Sequence, residues 1–213
     1  MTTATVALVA HTALDVEAAR RLADYGELDD AGVARALEQV HMQRWGRADL
    51  PGHLRRIESL AAVVDDGHTL FLVGAQSADG EAVRLRELFA AWPEGPVELV
   101  DWSGAGQALL SARALAHDLA LPADFLATRS RALGERIAPA PLDHPVPAAQ
   151  LELECLRLMA GLDASNDAPA PVMRAAARYR LWLRWQYVTG VLDAEARAVR
   201  EARLSRIANE DGA

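Results

Sequence analysis

Thr5-Val6-Ala7-Leu8-Val9-Ala10, followed at once by His11-Thr12, is an unbroken apolar run of strand length. A strand with one face in water alternates apolar and polar residues. A run without alternation suits a strand buried on both faces, as in a parallel sheet covered by helices. Thr69-Leu70-Phe71-Leu72-Val73 reads the same way. So does Pro96-Val97-Glu98-Leu99-Val100-Asp101, although Glu98 in mid-run points to a place nearer the edge.

Working outward, helical spacing fills the gaps. Leu14, Ala18, Leu22 and Tyr25 make one stripe, and Val33, Leu37, Val40 and Arg44 a second. Leu54, Ile57, Leu60, Ala61 and Val64 make a third between Pro51-Gly52 and Asp65-Asp66-Gly67, and Leu85, Leu88, Phe89 and Trp92 a fourth. Strands alternating with helices predict parallel pairing through right-handed crossovers. The expected fold is α/β, with a small, mostly parallel three-stranded sheet flanked by helices. From Gln107 onward the pattern is helical: 107–119, 122–137, a stripe of Leu151, Cys155, Leu158, Met159 and Leu162, a helix from Pro171 to Val188, and a last one from Asp193 to Ile207. Pro139, Pro141, Pro145 and Pro147 preclude helix in between. Residues 138–147 therefore read as a linker between an α/β domain, 1–137, and an all-helical C-terminal region, 148–213.

The 213 residues carry a formal charge of −8, and every one of the 22 basic residues is Arg. The acidic balance argues against a nucleic-acid binder. The lack of lysine excludes Schiff-base chemistry and a P-loop lysine. No apolar stretch reaches the ~18 residues of a membrane span, and Met1-Thr2-Thr3-Ala4 has no basic leader character, so a soluble, cytoplasmic protein without a membrane partner is expected. The single cysteine, Cys155, has no disulfide partner and falls on an apolar stripe, where it reads as a small buried hydrophobe.

Two groups of residues are candidates for function. If the strands are parallel, the turns after them share one edge of the sheet, where helix N-termini present free N–H groups to ligands. This makes His11, Thr12, Ser77, Ser103, Gly104 and Gly106 candidate ligand-binding residues, with His11 the side chain that titrates near neutral pH. The same residues also serve as helix caps and tight turns. Ser103-Gly104-Ala105-Gly106 departs from the dinucleotide pattern G-x-G-x-x-G, since Leu109 holds the place of the third glycine. The second group is Arg174, Arg178, Arg180 and Arg184, interleaved with Tyr179, Trp182, Trp185 and Tyr187, with no acid between Pro171 and Leu192. Like charges four residues apart repel. They call for carboxylates from elsewhere in the chain, a phosphate, or a partner protein. His117-Asp118 is similar to the metal-binding dipeptide of HD-type phosphohydrolases, but those are all-helical. No metal site and no cofactor are expected.

Ser77-Ala78-Asp79-Gly80-Glu81 after a buried strand, with Leu85-Arg86-Glu87-Leu88 beyond it, resembles a group of uncharacterised bacterial α/β proteins. In these a small parallel sheet precedes a helical C-terminal part. The likeness covers residues 45–105, and where that group's first strand runs into a Gly-Asp-Ser turn this chain has Ala10-His11-Thr12. The resemblance implies the fold and no activity. Two functions are thus expected. The first is a non-catalytic interaction or regulatory protein, a homodimer or the partner of another protein through its aromatic C-terminal helices. The alternative is an enzyme or sensor of a small phosphate-bearing ligand at the strand ends.

Overall fold

Residues 3–46, 50–74, 80–137, 148–163 and 169–210 are described by the computed structural model. The strands are β1 (Ala4–Leu14), β2 (Arg55–Asp65), β3 (Leu70–Val73), β4 (Val97–Asp101) and β5 (Arg129–Ala132), in one sheet of order β3-β2-β1-β4-β5. β1 is central. Val6 and Leu8 point to one face and Ala7 and Val9 to the other, and all four are at most 1% exposed. Both faces are covered, which is why the run does not alternate.

The sheet is mixed. β1 pairs parallel with β4 and β4 with β5, while β2 runs antiparallel to both β1 and β3. The expected three-stranded, mostly parallel sheet is corrected in two places. Residues 54–64, read as a helix, form β2 almost entire. Their apolar spacing fits a helix stripe, but a strand buried on both faces hides the same residues. Here Val63-Val64 runs into the Asp66-Gly67 turn and straight back into β3. An Asp-Gly step between two apolar runs is a hairpin signal, and β2 and β3 form that hairpin. Residues 122–137, also read as one helix, divide into a short 3-10 turn, the strand β5, and α5 (Leu133–Ile137). Arg131 of β5 donates to Glu98 at 3.0 Å. Glu98 therefore sits on an internal strand, its charge answered by the true edge strand.

α1 (Val16–Leu22) and α2 (Asp30–Trp45) join β1 to β2 and bury Ala19, Val33 and Leu37 in a small cluster with Leu54. α3 (Glu81–Ala90) and α4 (Gly106–Ala116) cover one face of the sheet, where Leu85, Leu88 and Leu110 join Val6, Leu8 and Leu99. α6 (Ala148–Ala160), α7 (Pro171–Val188) and α8 (Ala194–Glu210) cover the other. There Ala175, Ala176 and Ala177 share a cluster with Ala7 and Ala61, and small side chains on both sides let a helix lie close on strands. Tyr179 and Trp182 are buried in this core. The proline-rich residues 138–147 lie outside the described residues. Among the described residues, no helix is long and apolar enough to cross a membrane.

The β2–β3 hairpin is held by Asp66. Its carboxylate accepts from the Thr69 amide at 2.6 Å, the Thr69 hydroxyl at 2.7 Å and the His68 amide at 2.8 Å. These bonds, the Thr69 amide first, hold its pKa down to about 2. A carboxyl whose pKa falls on folding stabilises the fold above its unfolded value, and that stabilisation is lost as pH drops through the folded value. Asp66→Ala should lower stability in urea unfolding at neutral pH, and the gap from the unaltered protein should close between pH 3.8 and about 2. A gap that persists at low pH would show that the charge is not what holds the turn.

Candidate functional site

His11 stands where β1 leaves regular pairing. It faces Ser59 across the sheet while Thr12 faces Ile57, so Glu58 of β2 is the extra residue of a β-bulge. Bulges end regular pairing and re-aim side chains. His11 follows Ala7 and Val9 on the α7 side of the sheet, as Ser59 follows Val63 and Ala61. The two side chains are therefore cross-strand neighbours on one face. The first turns of α6 and α7 stand beside them, and together they enclose an open cleft of about 660 Å³. His11, Ser59, Gln150 and Arg174 are its polar lining, while Leu153, Pro169 and Pro171 belong to its apolar part. The volume lies within the roughly 300–1,000 Å³ common for small-molecule sites.

Arg174 is the hub of this lining. It donates through one terminal nitrogen to His11 Nε2 and through the other to Glu152 Oε2 at 2.8 Å. Glu152 Oε1 in turn accepts from Arg178 Nε at 3.0 Å and from the Arg178 terminal nitrogen. Glu152 and Arg178 are each 4% exposed. This one carboxylate answers the Arg174/Arg178 repulsion and ties α6 to α7. A guanidinium only donates, so His11 Nε2 must accept, which requires a neutral ring with its proton on Nδ1. Burial first, and then the Arg174 charge, hold the His11 pKa below its ordinary value, in keeping with that state. Two buried polar atoms in the cleft lining, Ser59 Oγ and Arg174 Nε, have no hydrogen-bond partner among the described residues.

The other expected residues go elsewhere. Thr12 accepts from Arg55 at 3.3 Å and, by strand alternation, faces away from His11. The Ser103–Gly106 turn closes on the chain's own Asp101, 5% exposed, which accepts from the Ser103 amide at 2.8 Å, the Ser103 hydroxyl at 3.1 Å, the Gly104 amide, and the Gly106 amide at 2.9 Å. What approaches these glycines closely is protein: a Cβ at Gly104 would lie 3.0 Å from Ala132 Cβ, and one at Gly106 2.7 Å from Asp101 Oδ2. Ser77 lies outside the described residues. Arg184 donates to the Met159 carbonyl at the end of α6, and Arg180 is half-buried with no ion pair among the described residues. Thus the fold joins one member of each expected group, His11 and Arg174, across 163 residues of chain. Ser59 and Glu152 were missed. Ser59 was hidden by the helical assignment of its segment. Glu152 carried a signal: it lies three residues before Cys155 and seven before Met159, which puts a carboxylate on the apolar face of α6.

A second polar cluster lies on the α3/α4 side. Arg113 donates to both oxygens of Glu81, at 2.7 and 2.6 Å, and to Asp15 at 3.0 Å. Glu81 also accepts from the Ile57 amide at 2.6 Å and contacts His117 Nε2 at 2.7 Å. Burial raises the Glu81 pKa, but Arg113, His117 and the Ile57 amide outweigh it and hold the carboxyl below its ordinary range. The groups satisfy one another and lock α1, α3 and α4 to β2. His117 is thus engaged by Glu81, and among the described residues no group of His, Cys, Asp and Glu could hold a metal ion. No protein-family model, curated protein or solved structure matches the chain.

Removing Glu152 strands two guanidiniums, one of them fully enclosed. Glu152→Ala should cost about 3–5 kcal/mol in denaturant unfolding, the usual price of breaking a buried pair. Cys155, on the next turn of α6, is 8% exposed, and burial, aided by Glu154 and Glu152, pushes its thiol pKa up. It should resist a thiol reagent in the folded protein and react faster once Glu152→Ala loosens α6. Unchanged stability and labelling would show that the clamp does not hold the helices.

Proposed function

We propose that the protein binds a small ligand through an anionic group, in the cleft formed by His11, Ser59 and Arg174. The observation that carries this is the buried Ser59 hydroxyl, which has no hydrogen-bond partner among the described residues, beside the Arg174 guanidinium. A buried polar group without a partner costs about 1–3 kcal/mol, and more when charged. An oxyanion that displaces the His11 ring takes over the terminal Arg174 N–H that the ring held and supplies an acceptor to the Ser59 hydroxyl. Guanidinium forks match carboxylate and phosphate geometry, and the end of a strand at the carboxyl edge of an α/β sheet is where such ligands dock. Binding is favoured over catalysis because the His11 lone pair is engaged by Arg174 and, among the described residues, no base is hydrogen-bonded to the Ser59 hydroxyl.

A second observation supports a partner surface elsewhere. Leu22, Leu28, Met42 and Trp45 on the α1–α2 hairpin are 65, 45, 49 and 56% exposed. Exposed apolar side chains such as these suit a protein partner or a second copy of the chain, so an interaction role stands beside ligand binding.

Melting curves with inorganic phosphate, aryl phosphates, nucleotides and organic carboxylates test the cleft. A ligand present at 100 times its dissociation constant stabilises the folded state by about 2.7 kcal/mol. The upward shift should shrink with added salt and disappear in Arg174→Gln. A shift of full size in that variant would place the anion elsewhere.

A further inference from the structure

If the cleft binds an anion, as proposed above, the geometry points to a phosphomonoester carried as a dianion with an apolar body behind it, and to His11 taking up a proton as that ligand enters. The charges come first. Facing His11 are Arg174 and Arg178 from α7, Glu152 from α6 and Glu58 from the bulge of β2. Glu58 is exposed and paired with Arg56 at 3.4 Å. Two guanidiniums against Glu152 leave one positive charge beside the cleft. That charge matches a monoanion, and a dianion is matched only when His11 is charged as well.

The geometry of His11 supplies that second charge. In the structure its Nε2 accepts from Arg174. An anionic oxygen lying between the two turns both into donors; the ring can donate through Nε2 as the neutral Nε2–H tautomer, which a monoanion satisfies, or as imidazolium, which adds the second positive charge that a dianion calls for. Burial and the Arg174 cation hold the ring's pKa below its ordinary value and so favour the neutral ring. Two negative charges placed against it reverse the electrostatic part of that bias.

The donors also fit the shape. Arg174 comes from α7, His11 from β1 and Ser59 from β2, three donor groups for the three terminal oxygens of a phosphomonoester. A carboxylate has two oxygens and a phosphodiester two charged ones. The remaining oxygen carries the body of the ligand toward Leu153, Pro169 and Pro171, which suits an aromatic ring or a base. The second ionisation of such a phosphate lies near pH ~6, so at neutral pH it arrives as a dianion and the proton for His11 comes from solvent.

Isothermal titration of phenyl phosphate into the unaltered protein at pH ~7.5, in two buffers of different ionisation enthalpy, counts the protons taken up. Uptake approaching about one proton per ligand is expected, with affinity falling by up to ~ten-fold per unit as pH rises from the free-state toward the bound-state value of His11. Benzoate and methyl phenyl phosphate should bind about ten-fold more weakly and without uptake. His11→Gln should abolish the uptake and this preference together, and Ser59→Ala should weaken phenyl phosphate more than benzoate. Since the protons are counted on the unaltered chain, a variant that fails to fold leaves the test intact. Phenyl phosphate binding without uptake, or equal affinity for benzoate or the diester, would overturn the phosphomonoester assignment while leaving an anion cleft in place. If phenyl phosphate, benzoate, the diester and inorganic phosphate all fail to bind, the cleft is not an anion site and both fall.

Discussion

β1 is hydrogen-bonded to β2 along nearly its whole length and to β4 along its first residues only, with Val6 and Leu8 packed under α3 and α4 and Ala7 and Val9 under the C-terminal helices. A strand buried on both faces has no water for its amides or its side chains, so each layer must be in place for the others to hold. Each fully buried aliphatic side chain in this strand contributes about 1.5–3 kcal/mol. The parallel pairing with β4 ends at Ala7, whereas the pairing with β2 continues to Leu14. Beyond Ala7 the two strands project as an arm, and the bulge at His11 lies on that arm. The first turns of α6 and α7 stand over it. The cleft is thus a consequence of unequal strand lengths around one central strand.

Charge is handled by the same economy. The chain has only Arg as its strong cation, and the buried guanidiniums are held by carboxylates from distant segments: Arg178 by Glu152, Arg113 by Asp15 and Glu81, and Arg200 by Asp65, which also accepts from the Tyr179 hydroxyl. Such pairs gain little net energy over apolar packing, but losing one partner is costly. They act as registers that fix which helix lies where on the sheet. The Glu152 cluster differs from the other two in reaching a cleft, where Arg174 keeps one N–H without a partner among the described residues. A cluster that both fixes α6 against α7 and opens to solvent couples the packing of the C-terminal helices to whatever occupies the cleft.

The amino-acid sequence by itself determined the elements whose surroundings are implied by their own composition. The unbroken run at Val6–Val9 reads as a strand covered on both sides, the stripes at 151–162 and 171–188 as helices with one buried face, and Cys155 as a buried residue. It also carried the need for something to answer the arginines of α7, because like charges on neighbouring turns repel. Local composition could not decide residues 54–64, since a short apolar run hides the same side chains in a helix as in a doubly buried strand, and β2 became a strand only through its ladders with β1 and β3. Nor could it decide that the turn at Ser103 would close on Asp101, that Glu152 would be the carboxylate Arg174 and Arg178 share, or that His11 would meet Arg174. Those contacts join segments far apart in the chain, and such a pairing is set by the register of strands and the placement of helices, which no local pattern encodes.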